Sequence, residues 1–160
     1  MYLLVIALVV LADHLVKYMI STSMVLESSV TVIPGVFDIT YIRNTGAAYG
    51  MFAGKQTLLL VVTAVIMIGI SVYVAVNRKK ILRAEKLSLA LIVGGGLGNF
   101  ISRAYSGDVV DFLNIHIIPI FNIADIAVCV GCALLVLVVL WIEPQKEKKA
   151  LAAQQTKQDQ

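Results

Sequence analysis

Charge is scarce in this chain. Only 14% of its 160 residues are Asp, Glu, Lys or Arg, 59% are hydrophobic, and the mean hydropathy is +0.90. An ordinary soluble domain carries about 25% charged residues. Histidine is rarer still, and His14 and His116 have no ligand spacing with other donors, so the sequence offers no metal site and implies no cofactor. No G-x-S-x-G is present, which removes the serine-hydrolase elbow. The glycine-rich "GGGLGN" has no G-K-[ST] after it and no soluble strand before it, which removes a phosphate loop. The net charge is +3, yet no basic stripe threaded with aromatics exists, so nucleic acid is not an expected partner. Cys129 and Cys132 form C-x-x-C inside an apolar run and read as small apolar fillers.

What is abundant is long apolar sequence. Four runs, at about 1–20, 57–76, 87–105 and 121–142, approach or exceed the roughly 20 residues that span a bilayer. Glycines dilute the third. The first lacks a basic n-region and contains a charged cluster, so it reads as a retained span and not as a cleaved signal peptide. The length suits a single domain of 1–144, with a polar tail over 145–160.

Lys and Arg concentrate in "NRKKILRAEK" after the second run and in the tail after the fourth. The positive-inside rule therefore puts both termini and the basic loop in the cytoplasm and turns the segments 21–56 and 106–120 outward. Dense β-branched and aromatic residues around "PG" in "VTVIPGVFDITYIRN" predict two short strands in the first outer segment. "AAYGMFAGK" (47–55) is too short to span and reads as a short interfacial helix. The expected fold class is a mainly α membrane protein: four transmembrane helices, a small extracytoplasmic β cradle and that interfacial helix.

Polar residues inside such runs carry the information. Asp13 and Lys17 are four apart and share a helix face. A carboxylate in a span costs roughly 2.5–3.5 kcal/mol on insertion scales, so Asp13 faces protein or water. It is either one half of a structural pair or a support for a polar site above it. Asn99 and Arg103 lie at i and i+4 near the outer end of the third run, after glycines that suit close helix packing. "FNIAD" opens the fourth run. Asn122 and Asp125 there fit a helix cap and its capping-box acid. That reading does not account for Asp111, set between "VV" and "FL". A shared outer pocket accounts for Asn99, Arg103, Asp111, Asn122 and Asp125 together. Two close carboxyls that divide one proton are suited to activate water and polarise a carbonyl.

These residues resemble a known family. "GNFISRAYSGDVVDFL" followed by "FNIAD", the D-x-x-x-K of Asp13 and Lys17, and "RNTGAAYG" (43–50) are similar, in order and spacing, to lipoprotein signal peptidase, signal peptidase II. The resemblance implies a membrane aspartic endopeptidase that removes signal peptides from diacylglyceryl-modified prolipoproteins by cutting before the lipidated cysteine. It implies Asp111 and Asp125 as the catalytic pair. Asp13, Lys17, Asn44, Gly46, Asn99, Arg103 and Asn122 would be supporting residues. It also implies a multi-pass protein of the bacterial cytoplasmic (inner) membrane with its active site near the outer face. Its partners would be prolipoprotein and membrane lipids, with no obligate protein partner. Ser102 departs from the family pattern, which usually has an aspartate before the arginine. "DHLVK" departs around the first acid. A G-x-G-D intramembrane protease fits less well, since "YSGD" lacks the first glycine. A non-enzymatic transporter or assembly factor explains the helices but leaves the paired outer acids unused. An inactive homologue is the remaining alternative.

Overall fold

The structure is a computed structural model that describes residues 1–46, 51–52 and 54–142. Four helices form its frame: α1 (Tyr2–Ser23), α2 (Gln56–Val76), α3 (Arg83–Ser106) and α4 (Ile123–Leu137), the last continuing into a π-helical turn, Val138–Ile142. All four, α4 together with that turn, are long and apolar enough to cross a membrane. The third helix begins four residues before the apolar run suggests, because Glu85 ties down its first turn. Its carboxylate accepts from the Tyr73 hydroxyl at 2.8 Å and from the Leu82 backbone N–H at 3.4 Å.

The helix α3 is central and packs on α1, α2 and α4. Its glycines are the reason it can. A Cβ on Gly95 would run into the Ala124 carbonyl oxygen and lie 2.8 Å from Val128 Cγ2. Such close approach of small residues is how helices associate where lipid removes the hydrophobic drive. The burial pattern of α1 is the inverse of a soluble helix. Its only buried residues are Asp13 and Lys17, while Leu4, Leu8, Leu11 and Leu15 are exposed. Apolar side chains meet lipid, and the interior holds the charges. Cys129 and Cys132 are likewise free and exposed on α4, so they face outward and do not fill the helix interior.

The segments that link α1 to α2 and α3 to α4 form one antiparallel sheet of order β1–β2–β3, with β1 at Ser29–Ile33, β2 at Phe37–Asn44 and β3 at Val109–Asn114. The expected hairpin is β1–β2, closed over Pro34 and Gly35 by a Val36 N–H to Ile33 carbonyl bond at 3.0 Å. The third strand pairs with β2 in the register Ile42↔Asp111, Arg43↔Val110 and Asn44↔Val109. Gly107 makes the sharp exit from α3 into β3. Its φ is +79°, and its N–H closes on the Arg103 carbonyl at 3.0 Å. This left-handed position suits glycine. The interfacial helix expected over 47–55 falls largely outside the described residues, as does the 145–160 tail. Of the former, Met51, Phe52 and Gly54 lie in turns.

Candidate active site

Four elements deliver polar side chains to one place. Strand β3 supplies Asp111, which is 2% exposed. The end of β2 supplies Asn44, α3 supplies Asn99 and Arg103, and the first turn of α4 supplies Asn122 and Asp125. Period-two alternation along the strands puts Asp111 and Val110 on opposite faces, and Asn44 and Arg43 likewise.

Asn122 links the two acids. Its side chain caps α4 by accepting from the Asp125 backbone N–H at 3.0 Å, and its own backbone N–H donates to Asp125 Oδ2 at 3.2 Å. That is the reciprocal capping box the sequence suggests. The same side chain donates to Asp111 Oδ1 at 2.6 Å. Cap and pocket are therefore one arrangement. Asn44 donates to Asp111 Oδ2 at 2.9 Å, and Asn99 donates to Asp125 Oδ1 at 2.8 Å. Each of the four carboxylate oxygens thus receives one donor and keeps a lone pair for water or a proton.

Behind this layer lies the pair from α1. Asp13 is fully buried and Lys17 nearly so, and Lys17 Nζ approaches Asp13 Oδ2 to 2.7 Å. Asp13 Oδ1 accepts the backbone N–H of Ala124 at 3.0 Å, one residue before Asp125. Lys17 donates to Asn99 Oδ1 at 2.8 Å and to Ser102 Oγ at 3.4 Å. Because Asn99 Oδ1 accepts from both Lys17 and Asn122 (3.2 Å), its NH2 group has one orientation, toward Asp125. The pair is thus closed on itself and bonded to residues on either side of it, Ala124 on α4 and Asn99 on α3. Nothing in the sequence marks Ala124, since a backbone N–H has no residue signature.

Arg103 ties α3 to the residue that follows β2 by two positions. One Nη donates to the Gly46 carbonyl at 2.8 Å, while the Gly46 N–H donates to Asn44 Oδ1 at 2.9 Å. Gly46, buried, is thereby tied to both α3 and the Asn44 side chain that touches Asp111. All nine residues singled out from the sequence belong to this connected set. Sequence reading missed the Arg43 to Asp108 ion pair, at 3.1 and 3.2 Å, which fastens β2 to the turn before β3.

Burial pushes the Asp111 carboxyl up to about 6, helped by the nearby Asp125 charge. The Asn44 and Asn122 hydrogen bonds and the Lys17 charge oppose that rise without cancelling it. A carboxyl held in this range keeps a proton into mildly acidic conditions, which suits one member of an acid–base pair. Among the described residues, no three His, Cys, Asp or Glu side chains gather as a metal-ligand set.

Comparison with known proteins agrees with this architecture. A family model described as signal peptidase (SPase) II matches residues 5–141. The lipoprotein signal peptidase of Halothermothrix orenii is 40% identical over 148 residues, covering 92% of this chain and 98% of that protein. That of Bacillus subtilis is 40% identical over 153 residues, covering 93% and 99%. A solved structure described as a bacterial membrane enzyme, determined by the in meso method at 2.3 Å resolution, superposes with a TM-score of 0.81. Its identity is 35%, covering 92% of this chain and 90% of that one.

Proposed function

Since the chain belongs to the signal peptidase II family, and is accordingly a membrane peptidase that removes signal peptides from prolipoproteins, we propose that Asp111 and Asp125 are its catalytic dyad. The scissile bond is the one just before the diacylglyceryl-modified cysteine. The observation that carries this reading is the double attachment of Asn122, which holds one carboxylate through its side chain and the other through its backbone.

The dyad works with one proton shared between two carboxyls, since close carboxylates do not both ionise readily. The ionised member takes a proton from a water molecule as the water oxygen attacks the scissile carbonyl carbon. The protonated member donates to the carbonyl oxygen. Collapse of the tetrahedral intermediate breaks the C–N bond, and the proton taken from water passes to the leaving amine. Asn44, Asn99 and Asn122 fix the carboxylates while leaving a lone pair free on each oxygen. Arg103 and Asn44 hold the backbone at Gly46 beside the acids, where an extended substrate strand would pass.

The membrane setting fits the substrate. The bond to be cut joins an apolar signal helix to a cysteine carrying acyl chains. Both flanks can remain in lipid while the peptide bond reaches the polar layer. In this reading both termini, the 77–82 loop and the basic start of α3 are cytoplasmic, and the sheet lies outside the cytoplasmic membrane.

The test is direct. Purified protein incubated with a diacylglyceryl-modified prolipoprotein yields the shortened product, and an unmodified precursor does not. Asp111→Asn and Asp125→Asn each abolish turnover. Near-normal turnover by either would remove the dyad.

A further inference from the structure

Ser102 faces the back of the catalytic layer. Its hydroxyl donates to the Gly98 carbonyl at 3.2 Å and accepts from Lys17 Nζ at 3.4 Å. In front of it opens a cavity of about 240 Å³ between the outer ends of α1 and α3, bounded on the far side by Arg43, Asp108 and Val110. Strand alternation puts this cavity on the face of the sheet opposite Asp111. Position 102 therefore touches the buried lysine from a side that substrate chemistry does not occupy, with room for a longer side chain.

The charges around this point are few and countable. Lys17 and Arg103 contribute two positive charges. Asp13 contributes one negative charge, and the dyad contributes a second when it holds a single proton. Arg43 and Asp108 cancel each other in their own ion pair. His14 also lies here, its Nδ1 3.0 Å from the Val10 carbonyl oxygen and 3.7 Å from Asp13 Oδ2, and it is common to every variant compared below, so it does not enter the difference between them. Tyr18 and Tyr105 also line the cavity. With a neutral residue at 102, the buried set is balanced in the singly protonated state of the dyad. A carboxylate at 102 would tip that balance by one negative charge, against the ammonium that contacts Asn99 and, through it, Asp125.

We infer that Ser102 sets the pH range of this peptidase: an uncharged side chain against Lys17 keeps the dyad singly ionised at lower pH than a carboxylate there would allow. Ser102 is a positioning residue in this account, acting through Lys17 and Asn99. The inference rests on the dyad reading of Asp111 and Asp125.

Turnover of the diacylglyceryl-modified prolipoprotein is measured from about pH 4 to about pH 9, a range that brackets both limbs of the profile. The proteins compared are wild type, Ser102→Asp, Ser102→Glu, Ser102→Asn and Ser102→Gln. An added negative charge favours the protonated form of each dyad state. Both limbs of the kcat profile should therefore move up by about half to one pH unit in the acidic variants. KM stays within about twofold, because the substrate contacts are untouched. The two amides keep the wild-type limbs. Unmoved limbs in a folded acidic variant would overturn the inference, and so would an equal shift in the amides. Folding of both amides but of neither acid would overturn it too, since the cavity would then not accept the charge. Asp111→Asn and Asp125→Asn are run in the same assay. If either retains turnover, the dyad reading itself falls. If both are dead and the acidic variants leave the limbs in place, only the role of Ser102 falls.

Discussion

Asp13 accepts a hydrogen bond at 3.0 Å from the backbone N–H of Ala124, a residue 111 positions away. The first-turn N–H groups of a helix have no partner within the helix. One of those on α4 is satisfied here by a carboxylate from α1, one residue from Asp125. The other oxygen of Asp13 meets Lys17 at 2.7 Å. Replacing Asp13 with Ala strands the α4 N–H and leaves a buried ammonium without its carboxylate. Breaking a buried pair from one side costs about 3–5 kcal/mol. Asp13→Ala should lower the melting temperature in detergent by several degrees and reduce turnover at least about tenfold. A thermal melt and a turnover assay on one preparation check both. A wild-type melt would show that the α1 pair does not hold α4.

The Asp111 carboxyl gives a stability signature that does not depend on substrate. Its folded value of about 6 lies above the unfolded one of about 4. The folded state therefore binds the proton more tightly, and the contribution is fully present below about pH 4. It is lost as pH rises through about 6 and is constant beyond. The rise corresponds to about 3 kcal/mol at full effect. Asp111→Asn lacks this titration. Its stability relative to wild type should increase by up to about that amount between about pH 4 and about pH 7, whatever the offset at low pH. Denaturation midpoints of the two proteins across that range measure it. A constant difference would place Asp111 in a wetter setting than its burial indicates.

Asn122 carries both a cap and the link between the acids, so its replacement should hit two readouts unequally. Loss of an N-cap side chain costs about 0.5–2 kcal/mol. Loss of a positioned donor in an active site costs about 10²–10³ in kcat. Asn122→Ala should therefore show a modest fall in melting temperature beside a large fall in kcat. Asn122→Ser, which can still cap, should recover stability more fully than turnover. Equal recovery of both would reduce Asn122 to a helix cap.

The orientation of the chain is open to labelling. Val36 lies at the exposed tip of the β1–β2 hairpin, and Arg78 lies in the basic loop after α2. With Cys129 and Cys132 changed to Ala, a membrane-impermeant maleimide added to intact cells should modify Val36→Cys and spare Arg78→Cys until the membrane is opened. The reverse pattern would invert the topology drawn from Lys and Arg placement.

Much of this was readable in the sequence, and what was not has a common cause. The four spans follow from apolar runs of sufficient length, and the β1–β2 hairpin follows from β-branched residues around Pro34 and Gly35. Asn122 and Asp125 are legible as a cap because the partners are three residues apart. Strand β3 was not legible, since "VVDFLN" shows no clean alternation and its partner β2 lies some 65 residues back. The π-helical turn that ends α4 leaves no composition signal. The contact of Asp13 to α4 leaves no mark in the sequence because its partner there is a main-chain group. Long-range contacts to backbone are invisible in residue identity, and they are what bring the α1 pair beneath the acids.

The glycines of "GGGLG" separate packing from site geometry within one helix. A Cβ on Gly98 would lie 2.8 Å from Asp13 Oδ2 and 3.3 Å from the Ala124 Cβ. Something must then shift, and the groups in the way are those that hold α4 beneath Asp125. A Cβ on Gly96 instead finds Met67 Cγ and Sδ at 3.4 Å, ordinary contact with a flexible side chain. Alanine also favours the helix over glycine by about 1 kcal/mol. Gly96→Ala should therefore be neutral or mildly stabilising with wild-type turnover. Gly98→Ala should lose turnover by about tenfold or more, since displacements near 1 Å at a reacting centre cost up to about 10²-fold. Under the proposed function the loss should appear mainly in kcat, because the shift moves the two acids. Equal behaviour of the two variants would mean that α3 relaxes around the added methyl, and that a displacement of Asp13 at Gly98 does not transmit to Asp111 and Asp125.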